Sequence, residues 1–320
     1  MTEAVRSAPA APGWAPALSI LVGSSVWGIS WYPYRMLLTW GISAALAQVL
    51  SAVVATLFIS VVYWRRFSTL RASWLLPAIG LAAGVANICF VWGTTHGYVM
   101  RVLLLFYLSP VWTALLAQWL LSERLTVAGA LLIALALGGA ALMLWPAKGG
   151  WPVPATPAEW MGLLAGMGFA ANNVLVRRAS QVLPEMRAEM RTWVMFVGCV
   201  ITGALSLWIM PEALGHGAAP VSQRVPAALV LIALGVTIAA TNVIVQFGLA
   251  RVAANRAALI MLFEIVVAAV SSCLIAGEVL GLREVAGGTC IVAAGVIAGL
   301  LPETSHRDAG KRARAGDAMV

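Results

Sequence analysis

Little in this chain can ionise. Only 10% of its 320 residues are charged, too few polar groups to clothe a soluble globule of this size. Aspartate occurs only at Asp308 and Asp317, in the C-terminal tail, which excludes an intramembrane aspartyl protease. His96, His216 and His306 lie far apart at loops or in the tail, and no pairing of His, Cys or acidic residues has the spacing that would hold zinc. There is no Ser–His pair at membrane depth for a serine protease, and no Gly-x-x-x-x-Gly-Lys-Ser/Thr loop for ATP hydrolysis. The chain therefore reads as no enzyme, with neither metal nor cofactor expected. Its four cysteines, Cys89, Cys199, Cys273 and Cys290, all fall inside apolar runs and read as small apolar residues. The first 13 residues lack the basic start of a signal peptide, so processing is not expected.

Apolar sequence is what the chain has in quantity. Hydrophobic residues make up 62% of it, in runs of about 20 residues that match a hydrocarbon core of roughly 30 Å at 1.5 Å rise per residue. Ten such runs fall near 14–36, 42–63, 74–96, 99–121, 126–145, 158–176, 190–210, 226–249, 254–276 and 284–301. Helices are expected, because a barrel would need strands of roughly ten residues alternating in polarity. The expected fold is an all-α polytopic membrane protein with ten transmembrane helices.

Basic residues orient it. With the N-terminus cytoplasmic, 15 of the 20 Lys and Arg residues fall on inner segments, and only Arg35, Arg101, Lys148, Arg224 and Arg283 fall on outer ones. The positive-inside rule thus puts both termini in the cytoplasm. The net charge of +8 is scattered over several inner loops without interleaved aromatics. It serves topology and contacts to membrane lipids, not nucleic acid.

Two stretches repeat at an offset of 155 residues: Gly80 with Gly235, Asn87 with Asn242, Gly93 with Gly248, Arg101 with Arg256, Glu123 with Glu278 and Leu125 with Leu280. A repeated block with an odd number of crossings lies in the bilayer in opposite orientations, one way of building an alternating-access path. The expected division is a tail 1–13, a five-helix repeat 14–145, an extracytoplasmic linker 146–157, an inverted five-helix repeat 158–301 and a basic tail 302–320.

At LLLFYLSPVWTALLAQWLLSERLT (103–126) the chain resembles the drug/metabolite transporter superfamily, EamA type. Pro110 matches the proline of the family's fourth helix, and Ser122, Glu123, Arg124 and Leu125 match the turn that follows. Gly277, Glu278, Val279 and Leu280 resemble the same turn in the second half, and VWGISWYPYR (26–35) is similar to the family's opening helix. The second half departs from the first by placing Glu264 and Ile265 where Ser109 and Pro110 stand. The resemblance implies secondary transport of a small organic metabolite across the inner membrane, by export of amino acids or related compounds. Carriers of sugar phosphates, nucleotide sugars or cationic drug-like compounds are the alternatives within this architecture. A membrane-embedded lipid-handling scaffold or enzyme is the alternative of another class.

Glu264 is the sharpest candidate, since an ionised carboxylate in the middle of a span costs at least a few kcal/mol. Ala257, Ala268 and Ser271 share its face, which therefore looks inward, and it is expected to couple protons or bind a cationic substrate group. Arg101 and Arg256 start the fourth and ninth helices, where a cation opposes the dipole, and are candidate gates. Glu123 and Glu278 are expected to cap the fifth and tenth helices. Ser109 and Pro110 are expected to kink the fourth helix and line the path, and Pro33 to kink the end of the first. Trp27, Trp92 and Tyr107 are the aromatics deep enough to face a substrate. Asn172 and Asn173 are candidate amide contacts, whereas Asn87 and Asn242, being repeat mates, read as shared architecture.

Overall fold

The computed structural model describes residues 14–121, 127–145, 151, 153–209, 220–249, 260–261 and 263–300. These are helical with no strand among them: α1 (Ala15–Ile29), α2 (Trp31–Thr39), α3 (Ala44–Val62), α4 (Leu75–His96), α5 (Val99–Phe106), α6 (Ser109–Leu121), α7 (Val127–Leu144), α8 (Pro157–Val182), α9 (Ala188–Ile209), α10 (Val221–Leu249), α11 (Phe263–Ala276) and α12 (Leu282–Leu300). Six segments are long and apolar enough to cross a membrane: Ala44–Val62, Leu75–His96, Val99–Leu120, Val127–Leu144, Ala188–Ile209 and Ser222–Val245. Phe263–Ala276 is a shorter apolar helix. The first apolar run is divided, because α1 stops at Ser30, whose hydroxyl and N–H both turn back to the Trp27 carbonyl.

Proline explains both breaks. Pro33 lies in the first turn of α2 and Pro110 is the second residue of α6, positions where a missing N–H breaks no helical bond. The expected kink at Ser109–Pro110 is real but sits earlier, at Tyr107–Leu108, so Ser109 and Pro110 open the new helix instead of interrupting the old one. Pro110 cannot donate to the Phe106 carbonyl one turn earlier. That carbonyl packs against Gly166 of α8, where an added Cβ would meet it at 2.7 Å. Gly162, one turn before, is approached in the same way by Val102. The Gly162-x-x-x-Gly166 motif is thus the seat of the broken helix.

Helices at corresponding positions of the two halves touch, and they run antiparallel. Between α3 and α9, Gln48 Nε2 donates to the Cys199 carbonyl (3.1 Å) and Trp193 Nε1 to Ser60 Oγ (2.9 Å). Between α7 and α12, Arg283 Nη1 donates to the Trp145 carbonyl (2.8 Å) while Gly139 meets Gly287 and Cys290. Between α5 and α11, Leu103 packs with Ala268, and Val99 lies beside Glu278. Rising number on one helix meets falling number on its mate each time. Other contacts exchange in pairs: α4 packs on α8 and α9, and α10 packs on α1 and α3.

Backbone proximity is greatest where α4 crosses α9. A Cβ on Gly80 would stand 3.2 Å from Gly198 Cα, and one on Gly198 would collide with the Gly80 backbone. Small residues at such a crossing allow the helices to meet by van der Waals contact, the main attraction available in lipid. Gly198→Val is accordingly expected to cost at least about 3 kcal/mol, read as a lowered melting temperature of the detergent-purified chain. An unchanged melting temperature would contradict this crossing.

Candidate functional site

Glu264 lies in the first turn of α11 and is only 9% exposed. Ala268 and Ser271, one and two turns on, are buried with it, whereas Val266, Val270 and Leu274 are exposed on the other side of the helix. The side chain therefore faces the interior, toward Tyr107 at the α5–α6 break, while the Glu264 backbone carbonyl lies close to Gly28 of α1. Among the described residues no cation acts on it, and the polar group that does is the Tyr107 hydroxyl. No hydrogen-bond geometry closes between the two, and Tyr107 Oη is buried without a partner.

Rings surround this pair. Tyr107 and Phe90 both pack against the buried cluster of Trp31, Val99, Leu103 and Ala268. Phe106 stands edge-on to Tyr107 (5.5 Å between centroids) and to Phe90 (5.4 Å), and tilts against Phe169 of α8 (5.1 Å). Trp31, 1% exposed, donates its Nε1–H to Ser271 Oγ at 3.1 Å and so joins α2 to α11. Two further buried polar atoms lack partners nearby in the fold: Trp112 Nε1 on α6 and Asn172 Oδ1 on α8. The pairing of Val102 with Gly162 and Phe106 with Gly166, continued along α6 and α8, sets Trp112 level with Asn172. An unpaired buried polar group costs roughly 1–3 kcal/mol, so the unpartnered Tyr107 hydroxyl beside a buried carboxyl marks a place where stability alone does not account for the arrangement.

One end of the molecule is tied by charge. Arg101 in the first turn of α5 donates to Glu159 of α8 (3.0 Å) and doubly to Glu284 of α12 (2.6 and 3.2 Å). Glu159 in turn accepts from Ala155 N (2.6 Å) within the capping box that starts α8. Glu278, buried in the α11–α12 link, accepts from Val99 N (2.6 Å) and Met100 N (3.1 Å). It does cap a helix, but α5 and not the expected tenth helix, because the link folds back over the neighbouring N-terminus. Arg35 Nη1 stands 3.8 Å from Glu278 while Arg35 Nη2 donates to the carbonyls of Thr94 and Gly97.

The family model for EamA-like transporters matches residues 14–145 and again 156–300. The chain belongs to the EamA-like transporter family. A comparison with curated proteins gives no match. A solved crystal structure titled only "Crystal structure of protein" aligns at 19% identity and a TM-score of 0.52, covering 90% of this chain and 96% of that one. At that identity the likeness carries the fold alone. An EamA-like chain with several membrane-length helices is a multi-pass membrane protein of a small-molecule transporter family.

Within this EamA-like fold the sequence candidates divide. Glu264, Tyr107, Asn172 and buried Ser109 lie inside, and Glu264 and Tyr107 are brought together. Asn173 is exposed, about 100° around α8 from its neighbour. Pro110 is exposed and Trp27 half-buried on α1. Trp92 stacks on His96 (4.4 Å) and packs with Tyr34, Leu37 and Leu231, a cluster separate from that of Tyr107. Asn242 donates to its own helix at the Ile238 carbonyl, a local structural role. Arg256 and Glu123 lie outside the described residues. Sequence reasoning set Trp31 and Trp112 aside as too shallow and passed over Phe90, Phe106 and Phe169. For Trp31 the signal was Ser30 with Pro33, which breaks the helix and turns the ring inward.

Proposed function

We propose that the chain is a secondary transporter that moves a small organic metabolite of the amino-acid-related class across the inner membrane by alternating access. Its ten spans form two inverted five-helix halves, 14–145 and 158–301, with both termini cytoplasmic and the substrate held between them. Three antiparallel pairs of corresponding helices support the inversion, since mates related by an axis in the membrane plane must run in opposite directions. The observation that carries the function is Glu264 itself: a carboxyl buried where the mates α5 and α11 meet, facing an unpartnered hydroxyl, with no cation among the described residues acting on it. Such a group binds a proton or a cationic substrate group in turn, and Glu264 is proposed to couple transport to protons. The ion-paired end is the outer mouth, where the positive-inside count puts Arg35, Arg101 and Arg283, and Arg101 is its gate.

Purified full-length protein in liposomes tests this by counterflow of radiolabelled amino acids, amines and sugars. Exchange of an amino-acid-related solute that rises with an imposed proton gradient is expected. Absence of flux for every solute would overturn the carrier reading and favour a scaffold.

A further inference from the structure

We infer that the group held between the halves is a protonated amine with no carboxylate beside it, carried on an apolar or aromatic body. Within the amino-acid-related class, the ligand is the decarboxylated amine and not the parent amino acid. This rests on the carrier reading above and narrows its substrate.

Charge is the first ground. A zwitterion brings a carboxylate that needs a cation or several strong donors, and the cation that lies against these rings among the described residues, Arg35 over Trp31, is already engaged. Arg101 is engaged by Glu159 and Glu284 at one end of the fold, and Arg35, between that end and the Trp31 ring, by Glu278 and two carbonyls. Glu264 would repel a second carboxylate directly.

Ring chemistry is the second. Trp31, Phe90, Phe106, Tyr107 and Phe169 form one aromatic group that reaches the carboxyl through Tyr107. Aromatic faces stabilise a desolvated ammonium and disfavour an anion. The Trp31 ring already has one cation over it, Arg35, at 5.1 Å from its centroid.

Hydrogen-bond inventory is the third. Asn172 Oδ1 is an acceptor without a donor, and Tyr107 Oη is an unpartnered group able to accept. An ammonium offers up to three N–H donors and no acceptor, which suits Glu264, Tyr107 and Asn172 in sequence as the path turns over. Trp112 Nε1 and the Tyr107 hydroxyl are the buried orphans among the described residues that can donate, two neutral donors with no free cation beside them.

The test is equilibrium binding of tritiated phenethylamine to the purified full chain, with competition by matched pairs that differ only in the carboxylate: phenethylamine against phenylalanine, and tryptamine against tryptophan. Each amine is expected to displace the tracer at about a hundredfold lower concentration than its amino acid, since burying an uncompensated carboxylate costs several kcal/mol. Tyr107→Phe and Asn172→Ala are each expected to weaken the amine and leave any amino-acid binding unchanged. Equal or tighter binding of phenylalanine or tryptophan, or no binding of either amine, overturns the inference. Counterflow of phenylalanine without phenethylamine would leave the carrier reading standing while this one falls.

Discussion

Glu264→Gln is expected to lower substrate flux by about a hundredfold and to make whatever remains independent of pH. Glutamine keeps the shape and one carbonyl oxygen, so the backbone approach to Gly28 and the side-chain contact with Tyr107 are retained. What it loses is the negative charge. Removing one partner of a buried charge pair costs roughly 2–5 kcal/mol, and every 1.4 kcal/mol is about tenfold. Under the proposed mechanism the loss falls on binding of the cationic group and on proton exchange alike, because the same carboxyl would serve both. Flux from liposomes, driven by a substrate gradient and then by a proton gradient at several pH values, reads both effects. Wild-type flux with an intact pH profile would remove Glu264 from the mechanism. The melting temperature is a control: a neutral amide is cheaper to bury than a carboxylate, so the variant should be at least as stable as the wild type.

Glu264 was legible because a carboxylate in an apolar run has only a few affordable surroundings, and the residues sharing its face at helical spacing, Ala268 and Ser271, are small and buried as expected. Arg101 was legible for a similar reason: a cation at a helix N-terminus opposes the dipole and must be compensated. Its partners were not, since Glu159 and Glu284 start other helices and no spacing rule links residues 58 and 183 positions away. Glu278 shows the same limit from the acidic side. Its place before a helix suggested that helix as its partner, yet the link carries it to Val99 and Met100 of α5. Trp31 was not among the deep aromatics, because depth counted along an unbroken first helix does not register the stop at Ser30, after which Trp31 is buried. The phenylalanines of the centre carry no polar marker, and nothing in an apolar run distinguishes a ring that lines a site from one that faces lipid. Trp92 is the reverse case, a deep tryptophan whose partners belong to another cluster.

Neutralising Arg101 should release the ion-paired end. Arg101 joins three helix N-termini from both halves: its own α5, α8 through Glu159, and α12 through Glu284. Arg101→Gln leaves Glu159 its capping N–H groups at Ala155 and Thr156, so α8 keeps its start and the fold survives. Glu284, 17% exposed at its side chain, loses its counter-ion. A fully buried pair broken in this way costs about 3–5 kcal/mol, but Arg101 is 34% exposed, and solvent reduces this to about 1–2 kcal/mol. That is close to a tenfold shift between mouth-closed and mouth-open states. In the sequence the repeat mate of Glu284 is Gly129, and the first apolar run, 14–36, contains no acidic residue, so under the proposed gating this contact is not repeated in the other half. The released states should therefore accumulate open on the Arg101 side alone. Spin labels at Tyr98 and Leu282, both exposed and from opposite halves, report that end in a chain whose native cysteines are replaced by serine. A short distance is expected to dominate in the parent chain and a longer one to rise about tenfold in Arg101→Gln, with Arg101→Lys intermediate because an ammonium restores charge without the two-pronged contact. Identical distance distributions in all three would mean that the mouth is closed by packing, with the ion pairs lying idle above it.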